Sequence, residues 1–341
     1  MTATIAWLGA HELDSVQEYI AEHWEQDHVL ARDATLLRWQ YRHPDPELLS
    51  VLVARDGDRL AGILGLVQAP FTWRGEPLSA GWLAMWSVVP ERRRQGVGLA
   101  LLVEAMQRFE VIACLGFNEA AARIYRGLGF DVRPALPRWV APIDRAAYAQ
   151  LVGTEPAAAV AVRYEAAMAH EWDETVARRW DAGWDELSSS LVGTARDAAF
   201  LGWRYVDHPS FRYAVRVSDD GRALCVSRLE DVKDSPLQVL RIVELLGDEE
   251  RAAALAASAV AEVPQAALAD FFCASPEFAA PLERLGFTRV EEQTAVPARF
   301  QPPERSRGLN AAFWRRGSGD EPFRSQLLYA TRADGDQDRP R

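Results

Sequence analysis

Between residues 14 and 25 apolar side chains recur at Val16, Tyr19, Ile20 and Trp24, the spacing of one helical face. The period then changes. Residues 51–54, 60–67, 71–73 and 82–89 are short β-type runs, with Asp56-Gly57 and Arg74-Gly75 as the turns between them. Residues 96–109 return to helical spacing, with Leu101, Leu102, Ala105, Met106 and Phe109 on one side. Val111–Leu115 is continuously apolar, as a buried strand is, and 120–128 is a further helix. Together these predict an α+β class: a mixed, mainly antiparallel sheet flanked by helices.

The pattern is repeated. Ala31-Arg32-Asp33-Ala34, Trp39-x-Tyr41 and His43-Pro44 return as Ala195-Arg196-Asp197-Ala198, Trp203-x-Tyr205 and His208-Pro209. The Asp56-Gly57 turn returns as Asp220-Gly221, and the stretch from Asn118 to Gly129-Phe130 returns as Ser275 to Gly286-Phe287. A repeat of this length predicts two copies of one module. A stretch at 135–155 rich in proline and small residues separates them, which divides the chain into 1–150 and 151–332. The polar end, 333–341, is expected to be a disordered tail. Trp39 and Trp203 are expected either to pack in the core or to line a cleft between the copies.

A length of 341 residues suits two domains of roughly 150 each. The formal net charge of −11 disfavours non-specific binding to nucleic acid or to an anionic membrane. No run of apolar residues is long enough for a membrane helix and the first residues lack signal-peptide organisation, so a cytoplasmic location is expected. Cys114, Cys225 and Cys273 are far apart, without CxxC or paired histidines, and are expected to be small buried hydrophobes with no metal role.

One stretch carries chemistry. Trp86-Ser87-Val88-Val89-Pro90-Glu91-Arg92-Arg93-Arg94-Gln95-Gly96-Val97-Gly98-Leu99 joins a strand to a helix through a glycine-containing turn. Glycines let the backbone fold tightly, so that amide N–H groups at the helix start can meet anionic oxygens, and three arginines add positive charge. The turn lacks the Gly-Lys-Ser/Thr of a P-loop and the third glycine of a dinucleotide fingerprint.

Arg93-x-x-Gly96-x-Gly98 after Val88-Val89-Pro90, followed by Asn118, Ala121, Tyr125, Gly129 and Phe130, resembles the GCN5-related N-acetyltransferase superfamily over about residues 10–135. The resemblance implies acetyl-CoA or another acyl-CoA as co-substrate. Its diphosphate would lie against Arg93, Arg94, Gln95, Gly96, Val97, Gly98 and Leu99, and its pantetheine along Trp86, Ser87 and Val88. Tyr125 would be the general acid for the departing thiolate, its phenol being protonated at neutral pH. Asn118 would either bond the pantetheine or cap the helix that follows. No base is evident in residues 81–89, and His43 and Glu119 are weak candidates.

In the second copy the turn reads Leu246-Gly247-Asp248-Glu249-Glu250-Arg251, where carboxylates repel a diphosphate and cap the helix themselves. Leu282 and Ser275 stand where Tyr125 and Asn118 stand in the first copy. The expectation is therefore an acyl-CoA-dependent N-acyltransferase acting on a small-molecule amine or amino sugar, with a silent second domain that is structural or helps bind the acceptor. The alternatives are a donor on an acyl carrier protein, or a non-catalytic CoA-sensing or scaffolding role.

Overall fold

The computed structural model describes residues 4–156, 172–290, 295–304, 308–317, 321–324 and 326–338. The first half runs β1 (Thr4–Gly9), α1 (Leu13–His23), α2 (Val29–Arg32), α3 (Ala34–Gln40), β2 (Leu48–Asp56), β3 (Arg59–Trp73), β4 (Glu76–Val88), α4 (Val97–Arg108), β5 (Val111–Leu115), α5 (Glu119–Gly127), β6 (Asp131–Arg133), β7 (Arg138–Pro142) and α6 (Arg145–Val152). The second half runs α7 (Glu174–Ser188), β8 (Val192–Thr194), α8 (Ala198–Leu201), β9 (Ala214–Val217), β10 (Ala223–Asp231), β11 (Gln238–Gly247), α9 (Glu249–Ala261), β12 (Leu268–Phe272), α10 (Ala280–Arg284) and β13 (Thr288–Arg289). After the small β14 (Arg299–Phe300) and β15 (Pro303–Glu304) hairpin come β16 (Ala311–Arg315), α11 (Glu321–Arg324) and β17 (Leu328–Tyr329).

The expected elements are present, with shifted ends. β3 is one 15-residue strand where two runs were expected. Pro70 does not break it, because proline lacks only the N–H and its carbonyl still accepts from Ala195 N at 2.8 Å. The repeated Ala-Arg-Asp-Ala motif has a local reason. Asp33 accepts from Leu36 N and caps α3, and Asp197 accepts from Phe200 N and caps α8.

Two sheets form. The first has the order β1-β2-β3-β4-β5-β16-β6, with β8 on β3 and β17 on β8; the second is β13-β7-β12-β11-β10-β9. Neighbours are antiparallel except for β4–β5 and β11–β12, each parallel and bridged by a helix over the sheet, and the short parallel pair β8–β17. The order corrects the expected division at residue 150. β7, from the first half, lies between β12 and β13, while β16, from the second half, lies between β5 and β6. Each half fills the same slot in the other's sheet. Ala311, Ala312 and Phe313 of β16 are fully buried, as are Trp139 and Ala141 of β7. Arg138 of β7 is also buried and pairs with Asp270 of β12 at 2.7 Å.

The repeated tryptophans meet each other. Trp39 Nε1 donates to the Trp203 carbonyl at 3.1 Å, and Trp203 Nε1 donates to the Trp39 carbonyl at 3.3 Å. Their rings lie 5.4 Å apart. Neither expected placement describes them fully, because they form a seam between the copies and border none of the cavities described below. His208 packs on Trp39 with ring centroids 4.2 Å apart, and its Nδ1 accepts from Ser210 N and Phe211 N.

Burial, then the charge of Arg204, pushes the His208 pKa down to about 3. An unfolded histidine titrates near 6.5, so the neutral ring contributes stability that is complete above that pH and is lost as pH falls toward 3. Urea unfolding midpoints should therefore drop between pH 7 and pH 4.5. The drop should be smaller in His208→Asn, which keeps an acceptor for the two amides. Equal slopes in both proteins would show that His208 is not responsible.

The tail is also corrected. Residues 333–338 are largely buried. Asp334 pairs with Arg196 at 2.8 Å, Asp338 is gripped by Arg228 and by the Tyr213 hydroxyl at 2.7 Å, and Arg204 donates to the carbonyls of Ala333 and Gly335. Residues 339–341 lie outside the described residues. All three cysteines are buried free thiols.

Candidate active site

β4 and β5 run in parallel register only from Ala80–Val111 to Leu83–Cys114. β5 then ends at Leu115, while β4 continues to Val88 with a bulge: its register against β3 shifts between Ile63 and Gly65, and Met85 has φ 39°. The bulge turns β4 away from β5, so the sheet opens where two neighbouring strands would otherwise hydrogen-bond. At the last rung Cys114 Sγ–H points to the Leu83 carbonyl at 3.6 Å. A cavity of about 760 Å³ lies at this opening.

The turn before α4 closes one end of it. Arg94 has φ 65° and Gly96 φ 81°, two left-handed residues that aim the chain into the helix. Gly96 is the N-cap and offers no side-chain acceptor, so the first-turn N–H groups remain available to a ligand. Nothing lies within 4 Å of where a Gly96 Cβ would be, so the glycine is needed for its backbone angle. Gly98 is closely approached: a Cβ there would sit 3.3 Å from Trp86 Nε1, which donates to the Gly98 carbonyl, so the indole would have to give by a few tenths of an ångström.

The three arginines are not equivalent. Arg92 is bound to Asp56, and Arg93 Nε donates to the Val88 carbonyl at 3.1 Å. Arg94 makes no hydrogen bond or ion pair with the described residues and keeps its full donor set. Tyr125 and the residues expected to hold the donor all border this cavity except Ser87 and Gln95, and the base candidates His43 and Glu119 do not border it. The Ser87 hydroxyl accepts from Tyr19 Oη at 3.4 Å, and the Gln95 side chain bonds to Glu91 and Arg92.

Tyr125 lies 1% exposed under the opening, stacked with Trp86 at 6.0 Å and wedged against Phe117 and Phe130. Its phenol is hydrogen-bonded to Cys114. Burial raises its pKa well above the ordinary value, with Cys114 adding to the rise, so it carries its proton at neutral pH. Burial also pushes the Cys114 thiol up to about 12, which removes it as a nucleophile. Asn118 caps α5, its Oδ1 accepting from Ala121 N at 2.9 Å, and borders the cavity.

Two bordering residues come from the polar end of the chain, Asp336 and Gln337. Gln337 Nε2 donates to Leu115 O at 3.3 Å and to Asp336 Oδ1 at 2.8 Å. Asp336 is 7% exposed, and its negative charge contributes to the raised pKa of Cys114. The site thus has a carboxylate beside Cys114 and Tyr125. Trp24, expected on the buried face of α1, is instead 43% exposed at the rim.

A second cavity of about 620 Å³ adjoins the first and shares Gly116, Phe117, Asn118 and Gln337 with it. Its far wall belongs to the second sheet and the segments around it, at Phe272, Ala298, Arg299 and Arg332. At the corresponding turn of the second copy, Asp248 Oδ1 accepts from Arg251 N and caps α9 itself. Leu282 is fully buried, and the Ser275 hydroxyl accepts from Leu328 N at 2.9 Å.

Known proteins share this fold. Residues 11–133 match the acetyltransferase (GNAT) domain family. A GCN5-related N-acetyltransferase from Anabaena variabilis superposes with a TM-score of 0.61 at 12% identity, covering 91% of this chain and 72% of that one. One from Kribbella flavida gives 0.59 at 16%, covering 92% and 72%. Saccharomyces cerevisiae N-myristoyltransferase with bound myristoyl-CoA gives 0.53 at 10%, covering 92% and 78%. No curated protein matches the sequence.

Proposed function

We propose that this chain, in which residues 11–133 are a GNAT-family acetyltransferase domain, transfers an acyl group, most simply acetyl, from acyl-CoA to the amine of a small molecule. The observation that carries the reading is one cavity that joins a left-handed glycine turn at a helix start, an unpaired arginine, and a buried protonated tyrosine at a strand opening. These fit an acyl-CoA: the turn and Arg94 suit a diphosphate, and the opening suits the narrow pantetheine arm. When bound, the thioester supplies an activated carbonyl.

The chain's own groups then divide the proton work. Tyr125 holds a proton at Oη for a departing thiolate; burial keeps the phenol protonated at neutral pH, while the raised pKa makes it a weaker acid. We assign the proton that an attacking amine must lose to the Asp336 carboxylate, because it borders the same cavity as Tyr125. Surrounding apolar groups, Leu83, Phe117 and Ile124 among them, limit water. The second domain supplies β16, the tail and the far wall of the adjoining cavity, and binds no acyl-CoA of its own.

Calorimetry with acetyl-CoA tests this. The wild type should bind one molecule per chain. In Gly96→Glu affinity should fall about 30-fold or more, because the residue must adopt φ near 81° and brings a carboxylate to an anion site. Tyr125→Phe should bind within a factor of about 3 and turn over about 100-fold more slowly. Two bound molecules per chain would sink the silent-domain assignment, and no binding to the wild type would end the reading.

A further inference from the structure

The core of the second domain contains a buried ionic network. Arg138, Arg228 and Arg241 are joined to Glu230, Asp270 and Asp338 by ion pairs, three cations to three anions. Arg332 stands beside this balanced set as a further positive charge. It has no carboxylate within ion-pair distance among the described residues, and its one protein acceptor is the Ala298 carbonyl, 2.8 Å from Nη1. Its Nε is buried without a partner. A guanidinium has five donors, so most of its capacity is unused at a place where unmet charge is costly.

This side chain borders the 620 Å³ cavity, with its guanidinium 5.7 Å from the ring centroid of Phe272. The other charged groups on the lining have partners. Arg126 pairs with Glu119 at 3.0 Å, Arg299 with Glu304 at 3.6 Å, and Arg133 with Asp131 at 3.2 Å. Arg332 is thus the one arginine of the lining with no carboxylate partner among the described residues. The cavity lies next to the donor site, the two sharing Asn118 and Gln337 as lining.

We propose that this cavity is the acceptor subsite and that it selects amines carrying an anionic group, a carboxylate or a phosphate, which Arg332 holds while the amine reaches toward Asp336. The inference rests on the acyl-CoA reading above and names the class of acceptor for that site. The volume suits a small molecule. Burial and the neighbouring Arg241 push the Arg332 pKa down to about 9, a cost that a bound anion would relieve.

The experiment uses the intact chain saturated with CoA, whose own titration is recorded first and independently reports the donor site. Inorganic phosphate, and the pairs O-phosphoethanolamine with ethanolamine and glycine with glycinamide, are then titrated by calorimetry. The anionic member of at least one pair should bind 10-fold or more tightly than its neutral or cationic partner. A preference in the phosphoethanolamine pair alone identifies a phosphate site, and one in the glycine pair alone a carboxylate site.

Arg332→Gln should remove that preference and leave CoA affinity unchanged, and Arg332→Lys should restore part of it. Because the ligand pairs are compared on the wild type, the inference stays testable even where a variant folds poorly. CoA binding without any preference for the anionic member overturns the inference and spares the acyl-CoA reading. So does a preference that survives in a folded Arg332→Gln. Absence of CoA binding overturns both.

Discussion

A chain cut after residue 150 is expected to be largely insoluble and to bind no acetyl-CoA, although it keeps the glycine turn, Asn118 and Tyr125. The cut removes β16, whose five residues pair with β5 from Val111 to Leu115 and whose other edge holds β6. Phe313 leaves a fully buried place against Trp82 and Phe323. Such a side chain is worth about 3 kcal/mol in burial, and each lost ladder bond adds about 1 kcal/mol. The total reaches the 5–15 kcal/mol that holds a whole domain.

The fragment is damaged at its other end as well. β7 loses both neighbours, β12 and β13, and exposes Trp139 and Val140 on an unpaired strand, a template for aggregation. Co-expression of 1–150 with 151–341 should recover soluble, acetyl-CoA-binding protein, since the strands can exchange between two chains. A soluble fragment 1–150 that binds acetyl-CoA with wild-type affinity would refute the structural role assigned to β16.

The second large effect is expected at Asp336. Asp336→Asn keeps the shape of the side chain and removes its capacity to take a proton. Turnover with an amine acceptor should fall about 100-fold, with acetyl-CoA affinity and melting temperature close to wild type. Asp336→Glu should recover part of the rate. Unchanged turnover in Asp336→Asn would leave the proton to water or to the amine's own ionisation. Replacing Asp338 separates chemistry from placement: Asp338→Asn breaks a buried pair with Arg228, which costs about 3–5 kcal/mol, so stability and rate should fall together.

What could be read from the sequence was what depends on near neighbours. The turn at 92–98 was legible because its glycines answer to a backbone angle and to a tryptophan twelve residues away. The repeated aspartates were legible as part of a pattern, and each caps a helix three residues on. The strand exchange was not legible. A five-residue run such as Arg138–Pro142 or Ala311–Arg315 says strand, and nothing local says which of two similar sheets it completes.

The tail failed for a related reason. Asp334, Asp336 and Asp338 give it the composition of a solvated end, and the arginines that hold Asp334 and Asp338 lie more than a hundred residues away on other elements. Polar residues are buried when such partners exist, and the partners are fixed only by the fold. The residue assigned here to proton transfer was hidden by the same circumstance.

The seam between Trp39 and Trp203 has a consequence for how such a molecule could arise. Bonds that run from the first copy to the second and back again are what a two-fold axis between identical subunits produces, and mutual lending of one strand is what swapped dimers do. A one-module ancestor with this architecture would have been a pair of chains with two equivalent sites, its assembly dependent on concentration. Joining the two in one polypeptide makes the pairing unimolecular. It also frees one of the two sites from selection, so that Asp248 could close its own helix while the other site kept the turn open.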